Sequence, residues 1–454
     1  MSENTLSRKI SLLQATAINM TDMVGIGPFV VLSAVAETML GPSFIYAWLA
    51  GAILSFIDAT VWSELGASFP LAGGSYNFLK EGYGPKWGKL ASFLYVWQTM
   101  IQAPLVITSA AIGFAQYFGY LVPLNELQSK LVSGTVVILI VVLLYRKIEA
   151  IGKISVLLWV GVLATMAWVI GSGMVHGNFI APIKNANQGF GFTWAFAALL
   201  GHACTKTVYS YLGYYNVCHL GVEIVNPQKN IPKSMFISII GIAILYLLMN
   251  ISVASVLPYQ AIVKSKFVVS EFVQTLQGAR AGVIVTVLIL FVAFASVFSA
   301  TLGYSRVPYA AAKDGAFFKI FARLHPTKNF PYVSLLFLGG IAFIFSITFK
   351  NISDVVHAIL AMRILTQFIA QAAGLLLLNK RRGRGVLPWK MFLYPIPVIA
   401  AIIIWFALFC FTGRQLVIDA LLFIATGVVV YYVKEALAPG PSPQMERGDS
   451  KKGQ

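Results

Sequence analysis

The feature that most constrains this chain is a run of roughly 20 apolar residues, long enough for a helix to cross a hydrocarbon core of about 30 Å. Such runs recur along nearly the whole sequence. Lipid offers no partner to a backbone N–H or C=O, so repeated runs of this kind must fold as helices whose hydrogen bonds close within each segment. Charge usage agrees: 11% of the 454 residues are charged and 58% are hydrophobic, whereas a soluble domain carries about a quarter charged residues. The expected fold class is an all-α membrane protein of about twelve transmembrane helices.

The expected spans are 12–40, 44–69, 87–117, 130–145, 150–173, 193–221, 234–257, 282–310, 332–349, 354–379, 391–411 and 415–434. The fourth and ninth are the shortest. The expected organisation is a cytoplasmic segment 1–11, a first unit 12–173, a second unit 193–379, two further helices within 391–434, and a polar disordered tail 435–454. Residues 1–13 lack a short apolar stretch ending in a small-residue cleavage site, so the first span is expected to be retained. The outer segment 258–281 alternates polar and apolar residues and is expected to hold a short helix over an outer vestibule.

The net charge of +17 invites a nucleic-acid reading, but the charges sit in the wrong places. With the N-terminus in the cytoplasm, most Lys and Arg fall in cytoplasmic loops, including Arg146-Lys147, Lys229 to Lys233, Lys313 to Lys328 and Lys380 to Lys390. That is the asymmetry that orients membrane helices. It places both termini in the cytoplasm of a plasma (inner) membrane and calls for no nucleic acid. The run Lys380-Arg381-Arg382-Gly383-Arg384 fits an orientation signal better than a docking patch for acidic lipid headgroups. Cys204, Cys218 and Cys410 lie within apolar segments and suggest neither a disulfide framework nor a metal cluster. The five histidines have no metal-ligand spacing, no Ser/His/Asp set shares a water-facing loop, and Gly73-Gly74 lacks the Lys-Ser/Thr of a phosphate loop. No enzyme, cofactor, metal or ATP-driven pump is expected.

Two spans carry interruptions. The first contains Gly25-Ile26-Gly27-Pro28-Phe29, where two glycines weaken the helix and Pro28 lacks an N–H. The sixth contains Tyr209-Ser210-Tyr211-Leu212-Gly213-Tyr214-Tyr215-Asn216, polar and glycine-bearing at mid-depth. Gly and Pro are common in membrane helices for packing reasons. Matched breaks five spans apart, however, are the sequence pointer to a transporter binding site between inverted repeats.

These residues also carry a resemblance. Gly25-Ile26-Gly27-Pro28-Phe29 resembles the first-helix Gly-Ser-Gly-Ile-Phe of the amino acid–polyamine–organocation superfamily, with Ile26 and Pro28 as departures. Phe69 to Tyr76 resembles its Pro-x-x-Gly-Gly-x-Tyr turn, Glu223 to Pro232 its Glu-x-x-Asn-Pro-x-x-x-x-Pro segment, and Ser305-Arg306 with Ala312 to Gly315 its Ser-Arg…Ala-Arg-Asp-Gly stretch. The resemblance covers roughly residues 8–380. It implies a five-plus-five inverted repeat, as in sodium-coupled neurotransmitter symporters, with two trailing helices, and alternating-access transport of amino acids or related amines. It further implies that the backbone of Gly25, Ile26 and Gly27 holds the substrate carboxylate. By the same resemblance, carbonyls near Ser210, Tyr211, Leu212 and Gly213 accept from its ammonium, and Tyr209 stands at an aromatic gate. Ala300 replaces a bulky aromatic of some relatives. The loop 122–130 lacks the cysteine by which animal light chains join a heavy chain, so no disulfide-linked heavy chain is expected.

Charges at helix centres are costly and become functional candidates by default. Asp22, three residues before Gly25, is a candidate for coupling to protons or for binding a cation or amine; the competing reading is a carboxylate held by neighbouring N–H groups. His202 and Lys206, at i and i+4, are vestibule candidates, although Lys206 equally fits a side chain reaching for outer water. Glu64 and Glu223 are expected to brace the inner gate by pairing with Arg306 or another base. Arg363 is expected to find an interior partner that the sequence does not name. The span-5 lysine of some sodium-independent relatives is replaced here by Val160-Gly161-Val162, which leaves Asp22 as the leading proton carrier. Tyr215 stands where arginine/agmatine exchangers have a carboxylate, which favours neutral amino acids. An amine or polyamine permease, and a non-transporting sensor or channel on the same fold, are the alternatives.

Overall fold

The structure, a computed structural model, describes residues 8–146, 148–187, 191, 193–349 and 352–437. Residues 438–454 of the expected polar tail, Lys147 and most of the N-terminal segment lie outside the described residues. In chain order the helices are α1 (Leu12–Met23), α2 (Gly27–Met39), α3 (Ile45–Ser68), α4 (Ser75–Leu121), α5 (Glu126–Leu144), α6 (Ile148–His176) and α7 (Ile180–Asn187). They continue with α8 (Trp194–Tyr211), α9 (Asn216–His219), α10 (Pro227–Ala254), α11 (Tyr259–Lys264), α12 (Val268–Gln277), α13 (Ala279–Tyr304) and α14 (Arg306–Lys313). The last are α15 (Tyr332–Thr348), α16 (Ile352–Arg363), α17 (Ala370–Arg382), α18 (Ile396–Phe411) and α19 (Arg414–Leu437). Among the described residues the only β pairing is two isolated bridges.

Among the described residues, eight helices are long and apolar enough to cross a membrane, and α1 with α2 makes a ninth, bent by 43°. The shorter apolar helices α15 and α18, with α8 and α9 in the sixth position, account for the remaining expected crossings. The side-chain distribution is that of a protein solvated by lipid. Ile403, Leu422 and Val429 are exposed, while Asn19, Gln98, Thr99, Gln102 and Asn250 are buried.

Several boundaries differ from the sequence expectation for local reasons. α4 begins at Ser75, twelve residues earlier than expected, because the chain turns at Gly73 (φ +94°) and Gly74 (φ +49°) and then runs helically to a kink at Gly84 (φ +68°), just before Pro85. α5 starts at Glu126 because Asn125 and Gln128 close a capping box, each side chain bonded to the other's backbone N–H. Ser11 and Gln14 do the same for α1. The outer segment holds two short helices, α11 and α12, where one was expected, and α7 between spans 5 and 6 was not foreseen. Between α16 and α17, residues Ile364–Ile369 form a π-helical turn, a feature that clusters at functional sites.

The basic run at the C-terminal end of α17 is not free to meet lipid headgroups along its whole length. Arg382 pairs with Glu81 at 2.6 Å, Arg381 donates to the carbonyls of Glu81 and Gly82, and Arg384 reaches the Glu64 carboxylate at 3.3 Å.

Candidate substrate site

The two interruptions meet. α1 ends at Met23 and α2 begins at Gly27, so the break is Val24 to Ile26. Pro28 falls in the first turn of α2, where a missing N–H costs nothing; it starts the second half-helix and is not itself the break. The N–H groups of Ile26 and Gly27 find no acceptor among the described residues. They sit at the positive end of a 13-residue helix, a ready place for an anion. α8 runs through Ser210 and ends at Tyr211, and Leu212 to Tyr215 form the break before α9.

Gly213 is what lets the breaks cross. Its φ is +122°, and a Cβ there would lie 2.9 Å from both the Asp22 Oδ2 and the Met23 backbone N, so a side chain would push the segments apart. Gly25 packs as closely, on the Ser296 Oγ of α13. Polar side chains hold the freed backbone. The Tyr246 hydroxyl of α10 stands 2.7 Å from the Met23 carbonyl and 3.1 Å from the Ser210 carbonyl, so one residue serves the ends of both half-helices. Ser296 donates to the Asp22 carbonyl (3.2 Å), and Asn19 accepts from the Val217 N–H (2.9 Å). Asn216 donates to the Ser299 carbonyl (2.8 Å), while Ser299 donates to the Ile18 carbonyl (2.7 Å). Spans 1, 6, 7 and 8 are thereby laced together around the interruptions, as membrane-buried irregular backbone requires.

Around the crossing lies a cavity of about 40 Å³, room for a few water molecules at the ~10–15 Å³ each needs. Gly25, Ile26, Gly27, Tyr209, Ser210, Leu212, Gly213 and Asp22 all line it, as does Ala300. Tyr211 does not; its ring turns into the core against Trp48 and Tyr246. His202 and Lys206 do not line this cavity. Lys206 Nζ donates to the Ala34 carbonyl (3.1 Å) and to Thr38 Oγ1 (2.5 Å), capping the far end of α2. His202 lies edge-on to Phe411 of α18. Tyr209 stays in the wall, its hydroxyl 2.7 Å from Ser109 Oγ of α4. No described side chain hydrogen-bonds the Asp22 carboxylate, which is only partly buried and faces the cavity.

Sequence reasoning placed Arg363 in a span but not at the site. It ends α16, where the π-helical turn begins, and lines the cavity with 1% of its surface exposed. Its Nε donates to Gln367 Oε1 (2.9 Å), and Nη2 donates to the Tyr215 hydroxyl. The guanidinium carbon lies 5.0 Å from the Tyr215 ring centre, 5.4 Å from Phe368 and 5.8 Å from Tyr304. All these partners are neutral, and no described carboxylate forms an ion pair with it. Tyr215, singled out in the sequence only through the resemblance, also lines the wall, as do Ser296, Val297 and Tyr304 of α13, which carried no sequence signal. Asp58 of α3 lies outside the cavity, accepting from Tyr214 and from Trp405 Nε1 (2.9 Å) behind the sixth-span break.

Three of the four motifs converge at one end of the bundle. Glu223 and Arg306 form a buried ion pair at 3.0 Å, and Arg306 Nη1 also donates to the Leu302 carbonyl (3.1 Å). The Glu223 carbonyl accepts from the N–H groups of Lys9 and Ile10, and the Gly73 N–H donates to the His219 carbonyl. Glu64 has a different base: it meets Arg384, Asn379 and the Met391 N–H.

A helical bundle with a cavity where two interrupted spans cross is the architecture of a membrane transport protein. The chain belongs to the amino acid permease family, whose model matches residues 10–433, within the amino acid–polyamine–organocation superfamily. It is similar to the serine/threonine exchanger SteT of Bacillus subtilis (strain 168), 25% identical over 95% of this chain and 97% of that one. It is similar too to the methylthioribose transporter of the same organism, 22% identical over 94% of each chain. The cystine/glutamate transporter of Homo sapiens is 24% identical over 75% of this chain and 68% of its own length.

Proposed function

We propose that this multi-pass membrane protein moves amino acids across the bilayer as a secondary transporter, by alternating access around the cavity between its broken spans. The observation that carries the reading is the conjunction at one crossing of unpaired N–H groups at a helix start, an unbonded carboxylate on Asp22, and a cavity that both of them line. Those groups suit an α-carboxylate and an α-ammonium respectively. A cavity of about 40 Å³ is smaller than any amino acid, so binding requires the walls to part, as alternating access demands. The packing of α3 against α10 and of α4 against α13 supports two five-span units, 12–173 and 193–379, related as inverted repeats. The basic loops support an inner-membrane orientation with both termini cytoplasmic.

Coupling to protons through Asp22, or obligatory exchange, completes the reading. Purified protein in liposomes, preloaded or empty, with and without a pH gradient, tests it. Asp22→Asn is expected to abolish proton-driven accumulation and leave exchange; accumulation that survives the substitution removes Asp22 from coupling. If no amino acid is bound or moved under any of these conditions, the proposal fails. A polyamine permease is disfavoured, because a guanidinium in the cavity wall repels a polycation. That the methylthioribose transporter resembles this chain as extensively as SteT makes a screen of non-amino-acid cargo the natural control. Tight binding without flux would point to a sensor, and ionic currents to a channel.

A further inference from the structure

Amino acid transport leaves the side chain of the cargo unspecified, and the cavity carries one group that this reading does not use. Arg363 is a full positive charge, buried to 1% exposure, with two hydrogen bonds to neutral oxygens and three aromatic faces around it. Its Nη1 has no acceptor among the described residues. A buried cation without an anion is among the costliest arrangements a protein can hold, and more so at membrane depth. Such a group is retained where an anion arrives to meet it.

The charges of the wall can be matched to a ligand one by one. Asp22 is the only carboxylate and Arg363 the only basic side chain in the cavity lining, and they are not paired with each other. The start of α2, with the open N–H groups of Ile26 and Gly27, is a third charge-selective element, favouring an anion. A zwitterionic amino acid answers two of the three, its carboxylate at α2 and its ammonium at Asp22, and leaves Arg363 unanswered. A molecule that answers all three presents carboxylate, ammonium and a second anion. Resting on the transport reading above, we propose that the cargo is an α-amino dicarboxylate, of the aspartate and glutamate type, whose side-chain carboxylate docks on Arg363.

The setting of Arg363 fits that role. A planar guanidinium held by Nε and Nη2 on one side presents Nη1 in fixed geometry, suited to a carboxylate. Gln367 sits within the π-helical turn, so the unusual helix geometry and the orientation of the guanidinium are parts of one arrangement. Val297 and Ala300 contribute a small apolar stretch to the wall, which suits a short methylene linker. The cost of missing the second anion is large, because a site built on a buried charge rejects the neutral isostere that leaves it unpaired.

The test is competition in proteoliposomes containing the full-length wild-type protein. Uptake of labelled L-aspartate and L-glutamate is challenged with each acid and with asparagine, glutamine and leucine. The acids are expected to compete at least about tenfold better than their amides. Arg363→Gln is expected to remove that preference, lowering acid uptake at least tenfold while amide uptake persists or rises. Binding by the detergent-solubilised protein, read as ligand-dependent thermal stabilisation, gives the same comparison if the variant does not transport. If the wild type takes up neutral amino acids and ignores the acids, this inference is overturned and the transport reading stands. If Arg363→Gln lowers acid and amide uptake equally in folded protein, Arg363 is a structural charge and the inference again fails. If no amino acid is moved or bound, both fall together.

Discussion

At Gly213 a single missing Cβ decides whether two membrane helices can cross. The residue combines φ +122° with contacts of 2.9 Å from any added Cβ to Asp22 and Met23. Left-handed backbone and close approach each disfavour a side chain, and strain of this kind costs about 1–3 kcal/mol. Gly213→Ala is therefore expected to lower the melting temperature of the purified protein and to abolish substrate-dependent stabilisation. Unchanged melting and binding would show that the crossing is looser than drawn. Glu223 and Arg306 make the opposite case, a pair that neither partner survives alone. Removing one charge from a buried pair costs about 3–5 kcal/mol, because the other is stranded. Glu223→Gln and Arg306→Ala should each destabilise severely, with the double variant less damaged than the sum of the two, as thermal denaturation of all three would show. Additive losses would argue against a shared interaction.

At the scale of elements, the broken spans depend on a helix that is itself unbroken. Tyr246, on α10, is the residue through which the third element controls the other two. Tyr246→Phe keeps the ring packing with Trp48 and Tyr211 and deletes only the hydroxyl. Leaving buried carbonyls short of a donor costs about 1–3 kcal/mol, so slower uptake with intact expression is expected, measured against wild type at equal protein. Full activity would mean that water or another donor replaces the hydroxyl. None of this was legible in the sequence. Tyr246 sits in an ordinary apolar run, and nothing in local periodicity says which of 19 tyrosines will face two freed carbonyls 223 and 36 residues away. The breaks themselves were legible, since Gly, Pro and polar residues at mid-depth leave few other readings, but their edges were not. Pro28 reads as a breaker until the chain is seen to restart at Gly27, and Ser210-Tyr211 read as broken although tertiary packing keeps them helical. For His202 and Lys206, helical spacing gives the face that the two residues share, not the neighbours that face meets.

At the scale of the whole molecule, the spans follow from hydrophobic length alone, because lipid enforces helices on every crossing. The motifs become intelligible only in three dimensions. Segments beginning at Phe69, Glu223 and Ser305 are separated by most of a repeat, yet they close one end of the bundle together, away from the cavity that the first motif helps to build. A charge such as Arg363 was visible as an anomaly, but its meaning required the position of Asp22 and α2 around it. The transport proposal places substrate in the cavity where spans 1 and 6 cross. Filling that cavity is the most direct test. Ala300 lines it at 2% exposure, and Ala300→Trp adds bulk without altering any charge or hydrogen bond. In liposomes, saturable amino acid uptake by the wild type should be lost in Ala300→Trp, while the variant remains monodisperse and helical. Uptake that persists at wild-type affinity and rate in the folded variant would place the substrate elsewhere and contradict the account.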